Sequence, residues 1–341
     1  MKNTKRTAIA TVAAVTLLLS ACADDGGDAD TYPERDVNVT VPFNAGGSTD
    51  LTARTVGEAM GNHWGKEIVV TNTPGAGGSV GTQSVLNAKA DGYTVLADGM
   101  LSFTSMPVMG TLETMPADWD FWLATFTPNI IAVPAESPYE TIDDLLQAME
   151  ENPGQVSVGT AGPGSAGHIA AELIATAADV EYRHVPYEGG NPAILATLGG
   201  EVDFAPQLLV EMHDMLISGD LRGLAALSDE AVTLDGGITI PTLADALPEI
   251  ADILPMGQTT GLAVPKGLDE GILAAIDEGF EAAMQNQAFL DFSAENGMQA
   301  VAIGRADAGD RVAELQSIVA WTLFDAGVAE NDPEDFDIPR P

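Results

Sequence analysis

Three glycine-rich segments hold the residue types best suited to chemistry. They are Asn44-Ala45-Gly46-Gly47-Ser48-Thr49-Asp50, Pro74-Gly75-Ala76-Gly77-Gly78-Ser79 and Gly159-Thr160-Ala161-Gly162-Pro163-Gly164-Ser165. Glycine permits positive φ, and its missing side chain lets backbone N–H groups approach a ligand closely. A helix that begins at such a turn adds the positive end of its dipole, so a carboxylate or phosphate is the natural occupant. A tight strand–helix turn without a ligand accounts for any one of these loops, but three in one chain favour a site.

The same loops satisfy two enzyme patterns. Gly77-Gly78-Ser79-Val80-Gly81 fits G-x-S-x-G, with Asp203 and His213 following in triad order. A nucleophile elbow needs its strand to run straight into the serine, whereas residues 72–78 intervene as a loop. A secreted α/β serine hydrolase using Ser79 is therefore the second reading. Gly162, Gly164 and Gly167 fit G-x-G-x-x-G with Glu181 near the acidic offset. Pro163 in the tight turn and the mid-chain position speak against a dinucleotide. His63, His168, His184 and His213 form no H-E-x-x-H and no close cluster with carboxylates, so neither a metal nor a cofactor is expected. His168 opens a helix beside Ser165, where it either caps the loop or faces a ligand. Asp50 either holds amides at a helix start or meets a ligand's amine or hydroxyl. Arg54, one turn on, is expected to pair with an acidic neighbour, and Met100, Met106 and Met109 to pack in a loop-rich stretch.

These loops need strands and helices to aim them. Residues 37–41, 68–70, 93–96 and 155–158 read as strands. Helical patterns follow through about residue 60, through about residue 90 and over 168–177. Alternation of this kind predicts an α/β architecture with parallel sheets. The chain has 341 residues and no internal repeat, which suggests two domains with full cores.

Charge narrows the partners. Lys and Arg number 13 against 51 Asp and Glu, a formal net charge of −38. So negative a surface repels nucleic-acid phosphates, and no nucleic-acid partner is expected. The single cysteine excludes an intrachain disulfide. Lys2, Lys5 and Arg6 followed by an apolar run over residues 8–19 form a secretory signal too short to span a bilayer. Leu19-Ser20-Ala21-Cys22 resembles a bacterial lipobox, which makes residues 1–21 a lipoprotein signal and Cys22 the lipidated N-terminus. Residues 22–31 then form the anchor and a flexible acidic tether. Removing residues 1–21 takes away three basic residues and leaves 10 against 51 acidic ones. That excess reads as a surface adapted to high salt, where self-repulsion is screened. Long-range attraction cannot recruit an anion to such a chain, so binding must come from short-range neutral donors.

Val41-Pro42-Phe43-Asn44-Ala45-Gly46-Gly47-Ser48-Thr49-Asp50, Asn72-Thr73-Pro74-Gly75-Ala76-Gly77-Gly78-Ser79 and Asp91-Gly92-Tyr93-Thr94-Val95-Leu96 together resemble the opening signatures of the tripartite tricarboxylate transporter receptors, or Bug solute-binding proteins. Gly164-Ser165-Ala166-Gly167-His168, His184-Val185-Pro186-Tyr187-Glu188-Gly189-Gly190, Gly199-Gly200-Glu201-Val202-Asp203, Leu221-Arg222-Gly223-Leu224-Ala225 and Pro241-Thr242-Leu243 continue the series in order. The likeness covers about residues 32–325. Departures are Glu188, where the family often has Lys, and Gln258-Thr259, near which it often has an aromatic residue.

The resemblance implies an α/β, two-lobed periplasmic-binding-protein type II fold with two hinge crossings and a ligand cleft between the lobes. Lobe one would hold residues 32–131 and 258–341, lobe two 132–257, with crossings at residues 130–134 and 261–265. Such a protein captures a small organic carboxylate by lobe closure, performs no chemistry, and delivers it to the permease subunits of a tripartite tricarboxylate transporter. Phe43, Asn44, Ala45, Gly46, Gly47, Ser48, Thr49, Asp50, Gly75, Ala76, Gly77, Gly78 and Ser79 would grip one end of the ligand. Thr160, Ala161, Ser165, His168, Pro186, Tyr187, Glu188 and Gly189 would meet the other, with Asp203 and Gln207 as outer candidates. The protein would sit outside the cytoplasm, held to the membrane by the lipid on Cys22. A signalling sensor without transport is a further alternative.

Overall fold

The computed structural model describes residues 31–341. The signal over residues 1–21, Cys22 and nearly all of the tether lie outside the described residues. The first half of the fold opens with β1 (Val37–Val41), α1 (Ser48–Trp64), β2 (Ile68–Asn72), α2 (Ser79–Leu86), β3 (Thr94–Gly99) and α3 (Met100–Ser105). The long strand β4 (Trp119–Pro134) leads into α4 (Ile142–Glu151), β5 (Ser157–Thr160), α5 (Ala166–Ala178), β6 (Arg183–Pro186), α6 (Gly190–Leu198), β7 (Ala205–Leu208), α7 (Leu209–Ser218) and β8 (Leu221–Ala226). After the short pair β9 (Val232–Thr233) and β10 (Thr239–Ile240) come β11 (Gly257–Pro265), α8 (Glu270–Met284), α9 (Gln287–Glu295), β12 (Gln299–Ile303) and α10 (Arg305–Asp325).

The three strand–loop–helix units stand where the glycine pattern put them, although α2 stops at Leu86. The methionine stretch is not loop-rich: Met100 begins α3, and Met100, Met106 and Met109 are buried. The sheet is mixed rather than parallel. β1 pairs in parallel with β2 and β3, but β11 runs antiparallel to β3 and β4, and β12, β7 and β8 run antiparallel to β4. Periodicity reports burial and not strand direction, so the parallel reading overreached.

β4 organises the whole molecule. Its alternate residues serve different cores, as the pleat requires. Trp119, Phe121 and Leu123 join the core shared with α3 and α10, while Trp122 and Ala124 join the core beneath α1 and α8. Residues 119–128 pair with β11, and residues 129–134 pair only with β7 and β8. The chain therefore passes between the two halves at Pro128-Asn129 and returns at Met256-Gly257. Asn129 N–H donates to the Met256 carbonyl at 3.3 Å and Met256 N–H to the Leu227 carbonyl at 2.9 Å. This corrects the expected crossings. Residues 130–134 lie wholly inside the second half, and residues 261–265 lie in the middle of the first half's sheet, against β3 and β4. Gly257 is demanded by the return crossing, since a Cβ there would stand 2.2 Å from the Thr127 carbonyl oxygen.

One buried acid makes stability depend on pH. Asp98, at the end of β3, is fully buried, accepting from Gly99 N–H at 2.7 Å and the Thr82 hydroxyl at 3.4 Å. Burial pushes its carboxyl up to about 8. An unfolded Asp ionises near 4, so between about pH 4 and pH 8 the unfolded chain releases a proton that the folded chain keeps, and stability falls as pH rises. Asp98→Asn keeps both hydrogen-bonding positions and removes the titration. Its melting temperature should match the parent's near pH 4 and exceed it increasingly toward pH 8, by the equivalent of about 1–3 kcal/mol. A gap that does not widen with pH would contradict this.

Candidate functional site

A cavity of about 40 Å³, room for roughly three ordered waters, lies where the two halves meet. Its wall is built from helix starts. Gly47, Ser48 and Thr49 open α1, Ser165 and Ala166 open α5, and Gly189, Gly190, Asn191 and Pro192 open α6. Leu208 and Glu211 belong to the first turn of α7. The first amides of a helix have no partner inside it, and most helices supply one from a capping side chain. Thr141, Asp269 and Asn286 do so for α4, α8 and α9. At the cavity only α5 is capped, by the Ser165 hydroxyl. The N-caps of α1, α6 and α7 are Gly47, Gly189 and Leu208, and none of them bonds its helix through a side chain. Three positive dipole ends without an N-cap side chain thus converge from both halves on one small space, the Ser48 N–H of α1 being met there by Glu211.

The two halves touch around it. Asn44 Nδ2 donates to the Glu188 carbonyl at 2.5 Å, Ser48 N–H to Glu211 Oε1 at 3.1 Å, and the Ser105 hydroxyl to the Gly164 carbonyl at 2.9 Å. The polar part of the lining is otherwise neutral, with Asn44, Thr49, Ser102, Ser165, Asn191, Gln207 and Gln258, and Phe43, Ala45, Ala161, Ala166, Pro192 and Leu208 add an apolar part. Among the described residues no Lys, Arg or His lines it, and Glu211 is the one ionisable side chain.

The expected ligand residues divide accordingly. Phe43, Asn44, Ala45, Gly47, Ser48, Thr49, Ala161, Ser165, Gly189 and Gln207 line the cavity. Gly46 stands beside it, where a Cβ would come within 2.9 Å of Asn191 Nδ2. Asp50 turns away: it accepts from Gly46 N–H, Asn72 Nδ2 and, in a two-pronged pair, Arg54, which together hold its carboxyl below the usual range despite burial. Of the two readings offered for Asp50, the amide-holding one is what the structure has. Gly75, Ala76, Gly77, Gly78 and Ser79 are absent from the wall. Gly78 packs on the Phe43 ring, and Gly77 faces the Pro163 carbonyl of the other half. The Ser79 hydroxyl donates to the Ala76 carbonyl at 2.9 Å, while His213 pairs with Asp214 and Asp203 with Ser157. No triad is assembled.

Thr160 and His168 form a second layer behind the wall. His168 Nδ1 accepts from Gly164 N–H at 3.0 Å, which leaves Nε2 to donate to Glu172 Oε1 at 3.3 Å. Its ring stacks on His184, centroids 4.3 Å apart, and His184 Nε2 meets the Thr160 hydroxyl at 2.6 Å. Burial first, and the neighbouring His168 second, push His184 down to about 4, so this ring is neutral at physiological pH. The network holds the third glycine loop in shape without touching the cavity. Pro186, Tyr187 and Glu188 remain outside the wall apart from the Glu188 carbonyl, and Asp203 lies on β5's flank.

Sequence reading missed Ser102, Ala166, Gly190, Asn191, Pro192, Leu208, Glu211 and Gln258. Gly189-Gly190-Asn191-Pro192 before a helix repeats the pattern of the other loops and could have been found. Glu211 carried no local mark, because Ser48 comes to it from 163 residues away. Burial pushes its carboxyl up to about 7 against the opposing pull of the Ser48 and Leu208 N–H groups.

Comparison with known proteins agrees with this architecture. Residues 52–317 match the model of the tripartite tricarboxylate transporter family receptor. Protein BugT of Bordetella pertussis is 31% identical over 278 residues, covering 79% of this chain and 82% of BugT. The periplasmic binding protein BugD superposes with a TM-score of 0.80 at 27% identity, over 87% of this chain and 99% of that one. MatC of Rhodopseudomonas palustris, solved with bound malate, superposes with a TM-score of 0.79 at 24% identity, over 86% of this chain and 100% of MatC.

Proposed function

Because this chain belongs to the tripartite tricarboxylate transporter receptor family, we propose that it captures a small organic carboxylate in the cavity between its lobes and hands it to the permease subunits of such a transporter. One observation carries the reading: the N-termini of α1, α6 and α7, none capped by its own N-cap side chain, meet at one cavity whose polar lining is neutral apart from Glu211. Amides fixed in this way bind an anion without any basic side chain, and the ligand favours the closed form by bonding to both lobes at once. BugD is a periplasmic binding protein and MatC was solved with malate; the malate complex supports a carboxylate ligand here. We divide the lobes at the β4 and Met256-Gly257 crossings.

Residues 1–21 act as a lipoprotein signal in this reading, and lipidated Cys22 holds the protein to the cell membrane outside the cytoplasm.

Thermal unfolding in molar salt, against a panel of small carboxylates and amino acids, tests the capture step. A compound present at about 100 times its Kd should stabilise the fold by about 2.7 kcal/mol. Ser79→Ala should bind it as well as the parent does. Absence of any shift, together with ester hydrolysis that disappears in Ser79→Ala, would overturn the receptor reading in favour of the hydrolase. The same melts without added salt should fall at lower temperature, and equal melting would contradict the salt-adapted surface.

A further inference from the structure

Five buried side-chain polar atoms among the described residues lack a hydrogen-bond partner, and two of them belong to residues lining the cavity: the Ser48 hydroxyl and Glu211 Oε2. One is able to donate and the other is an acceptor when ionised. Leaving either unpaired in a closed, water-poor space is costly. Glu211 itself is seated with care. Its Oε1 takes the Ser48 amide across the cleft. Gly190 and Gly47 leave it space, since a Cβ on Gly190 would lie 2.0 Å from Oε2 and one on Gly47 3.1 Å from Oε1.

We propose that Glu211 is a specificity-determining residue that receives the protonated amine of a small α-amino-carboxylate, whose own carboxylate is held by the uncapped amides of the cavity wall. The proposal rests on the receptor reading and narrows its ligand class. Three further observations support it. A second negative charge on the ligand would face Glu211 in a space of low dielectric with no lining Lys, Arg or His to offset it. The cavity, at about 40 Å³, favours a compact molecule. At long range, a chain of formal charge −38 repels dianions and leaves a zwitterion of zero net charge almost unaffected.

The test is titration calorimetry on the protein with matched probes that differ in one group. L-alanine, L-lactate and propionate carry an amine, a hydroxyl and a hydrogen at the same carbon, and L-aspartate and succinate differ by the amine alone. The expected result is that each amine-bearing probe binds at least tenfold tighter than its analogues. Glu211→Gln, close in shape and still able to accept from Ser48, should level these ratios to within about threefold while keeping the ligand-free melting temperature. Gly190→Ala, which displaces the carboxylate, should level them too and guards against an idiosyncrasy of one variant. Lactate, propionate or succinate binding as tightly as the amine-bearing partner, or ratios unchanged in Glu211→Gln, would overturn the proposal and leave the receptor reading intact. Failure of every probe to bind, while another carboxylate of the melting panel does, would overturn the proposal and leave the receptor reading intact.

Discussion

Gly77→Ala should weaken ligand binding by about 10- to 100-fold while the ligand-free fold survives. Gly77 has φ +65° and lies in the second glycine loop, outside the cavity wall. A Cβ there would stand 2.7 Å from the Pro163 carbonyl oxygen, which belongs to the facing lobe and is backbone that cannot swing aside. The contact bridges the two lobes, so on the receptor reading the clash acts on the closing equilibrium. Overpacking of this kind costs about 1–3 kcal/mol, and each 1.4 kcal/mol is tenfold in affinity. Strain from the positive φ falls on open and closed forms alike, at about 1 kcal/mol. Gly65→Ala isolates that share, because Gly65 has φ +66° and nothing within 4 Å of its would-be Cβ. Calorimetry of both variants against the same ligand decides the matter. Gly77→Ala binding as tightly as Gly65→Ala would mean that the observed contact between loops is no part of the bound state.

Gly261→Ala should damage the fold itself. This residue sits in β11 at an irregularity in its pairing with β4. A Cβ would lie 2.1 Å from the Trp122 carbonyl oxygen and 2.9 Å from the Leu123 Cα, both in the strand common to the two halves. No rotamer relieves a backbone clash, so β11 must shift away from the center of the sheet or lose pairing. A destabilisation of about 3 kcal/mol or more is expected, against the 1 kcal/mol typical of point changes. Melting should drop by at least about 5 °C, given about 2 °C per kcal/mol for a chain of this size. A loss below about 1 °C would show that the sheet accommodates the methyl group.

The glycine loops were legible because strand, turn and helix signals sit next to one another in the chain. The units from β1 to α1 and from β5 to α5 follow that pattern, and both supply wall residues. The crossings were not legible. β4 is buried through almost its whole length, and its polar break at Thr127-Pro128-Asn129, where the partners change, reads equally as an ordinary turn. The Val-Pro ends of β4 and β11 look like boundaries and are simply strand ends. Glu211 was hidden for a different reason. An acid in the first turn of α7 reads as a dipole partner, and only the tertiary fold brings Ser48 and Gly190 against it. His168 shows the reverse case: its place beside the third loop was plain from the sequence, but its ring faces Glu172 and His184 and not the cavity.

Where the ligand sits separates capture at the helix N-termini from any other mode of binding. A crystal structure of the protein with the compound that most raises its melting temperature tests this directly. The expected result is a ligand carboxylate within hydrogen-bonding distance of the uncapped amides at the starts of α1 and α6, enclosed between the two lobes. Ligand density on an outer surface, or beside Ser79 with the cavity unfilled, would contradict it.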